Sequence, residues 1–110
     1  MPAFRTDDGT VTPVDRIGYI GRRPSAPDEH PDALLVTVPD EDRSVSRSHG
    51  RFGVTNAQLW YEDLGSGNGS ILELPDGRST TLTPHQRVSL PTGSQLIIGS
   101  HTVQIVEHRG

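Results

Sequence analysis

The nine residues 44–52, S-V-S-R-S-H-G-R-F, decide how the rest of this 110-residue chain is interpreted. Two other short segments belong with them: Gly21-Arg22 lies upstream, and the glycine-rich stretch 63–70, D-L-G-S-G-N-G-S, lies downstream. Serine hydroxyls and guanidinium groups are good donors to phosphate, and a glycine-rich loop can turn its backbone amides toward an anion. Each segment is commonplace alone, so their order and spacing carry the interpretation.

The chain is acidic overall but clusters its positive charge. Its net charge of −4 argues against a general polyanion binder such as a DNA-coating protein. All ten basic residues are arginine, and six of them lie between Arg16 and Arg51. An arginine-favouring base composition explains the missing lysine. The clustering leaves two interpretations open: ordinary surface charge or a local anion site. Arginine suits an anion site because its planar guanidinium can hold a phosphate in two-point contact.

Cysteine and targeting signals are absent from the sequence. Without cysteine, disulfides and thiolate sites are excluded, which fits a reducing compartment. There is no signal-peptide pattern and no apolar run of about 18 residues, so we expect a soluble, cytoplasmic protein. The five histidines show no metal-ligand spacing, and we predict no metal site and no cofactor.

Short apolar or alternating runs bounded by turn residues recur along the chain, and no segment has helical periodicity over three turns. Many short strands at this spacing predict an all-β sandwich or barrel of mainly antiparallel strands. Three prolines interrupt residues 23–31, and we predict an exposed proline-rich loop there. The predicted strands are 17–21, 33–38, 51–54, 58–62, 70–74, 95–99 and 102–106.

The three segments, followed by a closing hydrophobic hairpin that contains Ile98-Gly99, resemble the forkhead-associated (FHA) domain family. The resemblance covers about residues 4–106 and implies that residues 1–110 form a single domain, a β-sandwich of about eleven mainly antiparallel strands. It implies a phosphothreonine-peptide-binding module for phosphorylation-dependent protein–protein interaction, downstream of a Ser/Thr kinase. The expected partner is a phosphothreonine-containing protein, with no nucleic acid and no membrane contact by this domain.

The family's motif assigns ligand contacts to four residues of this chain. By resemblance, Arg22 contacts the phosphate and orders the peptide residue beside it. Ser46 donates to a phosphate oxygen, and Arg47 adds charge from the next position. Asn68 bonds the peptide backbone that flanks the phosphothreonine. Supporting roles fall to Gly21, to His49, whose ring bonds across the loop, and to Gly69, which permits the turn that aims Asn68.

The chain departs from the family's pattern at Gly67, where many members have threonine directly before the asparagine. The departure removes a hydroxyl often placed near the phosphate, so we expect weakened affinity or altered selectivity. Ser66 offers a hydroxyl that can compensate. We therefore include both residues among the predicted ligand contacts.

Three alternatives compete with phosphopeptide binding. Catalysis needs Ser46 or Ser48 with His49 and an acid such as Asp63, but neighbours on an extended stretch face apart, so we predict no enzyme. Nucleotide binding needs a helix after the glycine-rich loop, and residues 70–74 have a strand pattern. The third alternative stays open: a phosphate-independent docking or dimerisation module with an FHA fold, which Gly67 favours and the retained arginine, serine and asparagine residues oppose. The sequence does not determine the oligomeric state.

Overall fold

The computed structural model describes residues 1–109 and contains eleven strands; Gly110, which the predicted domain includes, lies outside the described residues. The strands are β1 (Pro2–Arg5), β2 (Val11–Pro13), β3 (Gly18–Gly21), β4 (Leu34–Thr37), β5 (Gly50–Thr55), β6 (Gln58–Asp63), β7 (Ser70–Glu73), β8 (Ser79–Thr81), β9 (Val88–Ser89), β10 (Gln95–Ile98) and β11 (His101–Glu107).

The strands form two sheets. The six-stranded sheet has the order β2-β1-β11-β10-β7-β8, and the five-stranded sheet has the order β4-β3-β5-β6-β9. The pair β3–β4 is parallel, and the other paired strands are antiparallel. The predicted fold class, an all-β sandwich of about eleven mainly antiparallel strands, is confirmed.

Alternating side chains from both sheets fill the space between them. Phe4 of β1 meets Phe52 of β5 edge to face, with 4.9 Å between the ring centroids. Such pairs contribute beyond the area that they bury, and fully burying a side chain of this size stabilises by about 1.5–3 kcal/mol. The fully buried core also contains Ile20, Val38, Leu59, Tyr61, Leu90, Leu96, Ile98, Val103 and Ile105.

Trp60 is buried on the outer face of the five-stranded sheet, opposite its core-facing neighbours. The Arg87 guanidinium covers the ring, with its central carbon 3.6 Å from the ring centroid. Gly53 lies beneath the indole, where a Cβ atom would overlap the ring. Cation–π contact and a missing side chain therefore explain how a large aromatic residue is shielded on this face.

The seven predicted strands are present with small shifts at their ends, while four strands were not predicted. All three residues of β8 are exposed, and β9 is only two residues long. Neither strand therefore has the alternation of apolar and polar residues by which a strand is predicted from sequence. Residues 23–31 contain no strand and no buried residue. Within residues 1–109, no helix has the length and apolar character needed to cross a membrane.

Candidate anion-binding site

Three loops meet at one end of the sandwich: residues 22–33, 38–49 and 64–69. The first two pair through their backbones, since the amides of Arg22 and Arg23 donate to the carbonyls of Ser46 and Arg47 at 3.0 and 3.1 Å. Gly21 makes this approach possible, because a Cβ atom there would overlap the Arg47 carbonyl. The loops that carry the predicted site residues are thus held together by backbone contacts.

Arg22 is anchored at its inner nitrogen. Its Nε donates to the Val45 carbonyl oxygen at 3.0 Å, across two segments that are 23 residues apart in sequence. This bond fixes the plane of the guanidinium and leaves its terminal N–H groups for another acceptor. Arg22 is half-buried, whereas Arg47 is exposed.

His49 is fully buried, and its ring connects two of the three loops, residues 38–49 and 64–69. Its Nδ1 accepts the Ser46 backbone N–H at 3.0 Å, and its Nε2 lies 2.8 Å from the Gly69 carbonyl oxygen. A backbone N–H cannot accept and a carbonyl cannot donate, so the ring is the tautomer protonated at Nε2. The ring bonds backbone groups, an arrangement unlike that of a histidine activating a serine hydroxyl.

Asp63, at the end of β6, organises the glycine-rich loop. Its buried carboxylate accepts the backbone amides of Gly65 and Ser66 at 2.9 and 3.0 Å, and both serine hydroxyls, Ser66 and Ser70, at 2.6 Å. Tyr61 closes the network through its hydroxyl, 2.8 Å from Ser70 Oγ. Burial alone would raise the pKa of Asp63, but these donated bonds outweigh it and lower the pKa.

Asn68 and Ser46 link the glycine-rich loop to the serine loop, residues 38–49. Asn68 Nδ2 donates to the Ser44 carbonyl oxygen at 2.8 Å. The Gly67 amide donates to Ser46 Oγ at 3.2 Å. Because Ser46 Oγ accepts that bond, its own proton is available to a further acceptor.

The structure changes the role of Ser66 and clarifies the two glycines beside Asn68. The Ser66 hydroxyl gives its one proton to Asp63, which leaves none for a phosphate oxygen, so we revise its predicted role from ligand contact to support of the loop. Gly69 has a φ of +74°, a left-handed conformation that favours glycine. Gly67 borders open space, because no other part of the chain lies within 4 Å of the position that a Cβ atom would take.

Four arginines line one pocket of about 300 Å³ at the junction of the loops: Arg22, Arg23, Arg43 and Arg47. Asp40 and Glu41 complete its lining. Within residues 1–109, none of these four arginines forms an ion pair. Carboxylates do pair with the arginines elsewhere at Arg16, Arg51, Arg78 and Arg87. The pocket therefore gathers four positive charges against two negative ones at the predicted site, and an anion is the ligand that it suits.

No metal site is assigned among the described residues. Ligand atoms of Asp40, Asp42 and His101 lie within 4.8 Å of one another. However, the two ring nitrogens of His101 contact carboxylates of Asp7 and Asp40 at 2.6 and 3.0 Å. A ring that donates to both carboxylates has no lone pair left for a cation.

Sequence reasoning missed three supporting residues of the site. Asp63 entered it only as a catalytic acid, although it directly precedes the glycine-rich loop, where an acceptor for turn amides is common. Ser44 belongs to the quoted stretch 44–52 but was given no role. Asp40, whose carboxylate accepts the Ser44 hydroxyl and the Val45 amide, was not identified. Their contacts lie across the fold, so only Asp40's place in a Pro-Asp turn offered a signal.

The family model of the FHA domain matches residues 18–99. Among solved structures, the chain is similar to the FHA domain of human APLF in complex with an XRCC1 bisphospho peptide, at 18% identity and a TM-score of 0.73, covering 97% of this chain and 98% of that one. It is also similar to the FHA domain of the CT664 protein from Chlamydia trachomatis, at 21% identity and a TM-score of 0.71, covering 98% of both chains.

A third similar structure is Mycobacterium tuberculosis EmbR in complex with a low-affinity phosphopeptide, at 18% identity and a TM-score of 0.68; the match covers 99% of this chain and 26% of that one. At these identities the likenesses show the fold. No curated protein matches the chain significantly. The family model covers well over half of the residues and includes all three loops, and on that ground the chain belongs to the FHA domain family.

Proposed function

We propose that residues 1–110 form a single domain that binds phosphothreonine peptides and so mediates phosphorylation-dependent protein–protein interaction, downstream of a Ser/Thr kinase. The observation that carries this proposal is the pocket lined by four arginines that form no ion pair among residues 1–109. The Ser46 hydroxyl, next to Arg47 in sequence, has its proton available for a ligand. Two of the structurally similar proteins, human APLF and EmbR, have been solved with phosphopeptides, which supports the same ligand class here.

The phosphate group matches the donors of the pocket. A phosphothreonine carries about −1.5 to −2 charges at neutral pH and offers three strong acceptor oxygens. The terminal N–H groups of Arg22, the Ser46 proton and the Arg47 guanidinium supply charge-assisted bonds of roughly 1.5–3 kcal/mol each. Dehydration of the phosphate offsets much of this, so we expect affinities on the order of micromolar.

Asn68 supplies the contact to the peptide backbone. One N–H of its amide group is held by the Ser44 carbonyl, which sets the orientation of the side chain. Its second N–H and its carbonyl oxygen remain for a peptide C=O and N–H. A side chain held in this way loses little conformational entropy on binding, which favours recognition of an extended peptide.

A phosphopeptide library screen tests the proposal. Immobilised domain is incubated with degenerate phosphothreonine peptides and with the matching unphosphorylated pool, for the wild type and for Ser46→Ala. We expect enrichment from the phosphothreonine pool alone, reduced in the variant because one donor to the phosphate is lost. Equal capture of both pools, unaffected by Ser46→Ala, would support the phosphate-independent docking module instead.

Gly67→Thr is expected to raise affinity for a phosphothreonine peptide by roughly 3- to 10-fold. The position has room for a side chain and lies outside the left-handed region, so threonine fits without strain. The gain combines one hydroxyl donor with a stiffer loop in the unbound protein. Calorimetric titration measures it, and Gly67→Ala is the control that stiffens the loop without adding a hydroxyl. Equal affinities of the two variants would show that no phosphate oxygen lies near residue 67.

Arg43→Glu is expected to weaken binding of a phosphopeptide about tenfold at low ionic strength, because it replaces attraction to the phosphate by repulsion at the edge of the pocket. The loss is expected to shrink as salt is added. The matched control is Arg16→Glu, a reversal before β3 at an exposed arginine paired with Asp15. Unchanged affinity in Arg43→Glu would assign Arg43 to the ordinary surface and remove it from the arginines that attract the phosphate.

A further inference from the structure

His101, the first residue of β11, joins two distant parts of the chain through its ring. Nδ1 lies 2.6 Å from the Asp7 carboxylate, in the turn between β1 and β2, and Nε2 lies 3.0 Å from the Asp40 carboxylate. Ionised carboxylates only accept hydrogen bonds, so the ring can donate to both of them only when it is protonated. The Asp40 side chain has no exposed surface, whereas that of Asp7 is 40% exposed.

Asp40 connects His101 to Ser44 and Val45, further along the serine loop. Its Oδ2 accepts the Val45 amide at 2.7 Å, and its Oδ1 accepts the Ser44 hydroxyl at 3.2 Å. The backbone carbonyls of these same two residues bind two side chains that we propose contact the ligand. The Val45 carbonyl accepts a hydrogen bond from Arg22 Nε, and the Ser44 carbonyl accepts one from Asn68 Nδ2. One buried carboxylate therefore fixes the dipeptide that orients both of them.

Asp40 also affects the charge of the arginine pocket, since it lines that pocket on one side and the cleft beside His101 on the other. While His101 is protonated, its positive charge compensates the negative charge of Asp40, and the four arginines attract a phosphate at full strength. Once His101 is neutral, the Asp40 charge opposes a bound phosphate. The remaining charged groups near the ring are Asp7, Asp42 and Glu41, all acidic.

We infer that His101 is a positioning residue for the phosphopeptide site: its ring holds Asp40, and Asp40 in turn holds the Ser44–Val45 backbone. Affinity for the phosphopeptide is therefore highest when His101 is protonated and declines as His101 loses its proton. This inference rests on the proposed function. It assigns a role to a residue of the closing hairpin that lies outside the three loops and contacts no ligand.

The direction of the pH effect follows from the contacts. Partial burial on its own would lower the pKa of His101, but the hydrogen bonds and charges of Asp7 and Asp40 outweigh it and raise the pKa above 6.5. A raised pKa means that the contacts of the charged ring are fully present below 6.5 and are lost as the pH rises through the folded-state value. The phosphate titrates near pH 6, so most of it has lost its last proton above about pH 7. Loss of the remaining protons makes the phosphate more negative and would raise affinity, so it cannot produce the expected decline.

Two substitutions separate the two ring contacts. In His101→Gln, the amide nitrogen can take the place of Nε2 and keep the Asp40 contact without a charge. In His101→Asn, the amide nitrogen can take the place of Nδ1 and keep only the Asp7 contact. His108→Gln, after the end of β11, is the control for a histidine change away from the site.

The first measurement uses ligand-free wild-type protein. The His101 ring signals and the Val45 amide and Asn68 side-chain amide signals are followed by NMR from about pH 6.5 upward. We expect the amide signals to move with the midpoint of the His101 ring. Amide signals that stay fixed while the ring titrates would overturn the inference, and this readout holds even if no phosphopeptide binds and the proposed function fails.

The second measurement is phosphothreonine-peptide affinity above about pH 7. For the wild type and His108→Gln we expect a decline of roughly 2- to 10-fold as His101 deprotonates, the factor that corresponds to one hydrogen bond. His101→Gln is expected to show no such decline with pH. His101→Asn is expected to bind the peptide more weakly than His101→Gln does. Thermal unfolding checks that both variants are folded. The same pH profile in wild type and His101→Gln would overturn the inference while leaving phosphopeptide binding intact.

Discussion

Arg22→Ala abolishes detectable binding of a phosphothreonine peptide, and this is the largest functional effect that we expect from a single substitution. The change removes at least two charge-assisted hydrogen bonds to the phosphate, which corresponds to a loss of about 100-fold or more. The fold is expected to survive, since only the bond from Nε to the Val45 carbonyl is lost internally, at about 0.5–1.5 kcal/mol. Titration calorimetry and thermal unfolding measure the two effects separately.

The matched control for Arg22→Ala is Arg78→Ala. Arg78 is an exposed arginine in the turn between β7 and β8, paired with Asp76. Its removal changes the net charge by the same amount, so unchanged binding in this variant separates a local contact from a general charge effect. If Arg22→Ala and Arg78→Ala bound the phosphopeptide equally well, the guanidinium of Arg22 would not be a phosphate ligand.

Asp63→Ala is expected to produce the largest loss of stability among the residues around the site, about 2–4 kcal/mol. The buried Ser70 hydroxyl loses its acceptor, and the Gly65 and Ser66 amides lose theirs; an unsatisfied buried group costs about 1–3 kcal/mol. For a chain of this size the change corresponds to a fall in Tm of roughly 10–20 °C. Thermal unfolding followed by circular dichroism measures it, and peptide affinity falls as well because the glycine-rich loop is no longer held.

Asp76→Ala is the control for the Asp63 variant, since Asp76 is an exposed turn aspartate that also accepts a backbone amide two residues on. We expect Asp76→Ala to lower the free energy of unfolding by less than about 1 kcal/mol, because the position is exposed. A Tm for Asp63→Ala within the range of the control would contradict the view that the carboxylate network holds the loop.

Acid should weaken the fold through the same carboxylate. The pKa of Asp63 is lower in the folded protein than its ordinary value of 3.8, so the folded state binds its proton less readily than the unfolded state. The stabilisation is therefore complete above 3.8 and is lost as the pH falls through the folded-state pKa.

The residues that contact ligand in our proposal were accessible to sequence reasoning because they lie in short contiguous motifs. Arg22, Ser46, Arg47 and Asn68 were assigned through the resemblance of these motifs to the FHA family, and the structure brings their loops together. Ser66 was predicted as a ligand contact because its residue type permits one. The direction of its proton depends on Asp63, whose position relative to the serine only the folded loop fixes.

The support of the site was less accessible, because its contacts join residues far apart in sequence. His101 and Asp40 are separated by 61 residues, and no local pattern relates them. The strands show the same contrast: β5 and β6 contain buried apolar residues and were predicted, whereas β8 (S-T-T) has no buried residue and gives no apolar pattern to detect.

The central claim is that this domain reads phosphothreonine, and the most direct test is calorimetric titration with one selected peptide in three forms: phosphothreonine, phosphoserine at the same position, and unphosphorylated. We predict micromolar binding of the phosphothreonine form, none of the unphosphorylated form, and loss of the signal in Arg22→Ala. Equal binding of the phosphothreonine and unphosphorylated forms, or no heat from any of the three, would overturn this prediction and direct the search to phosphate-independent protein partners.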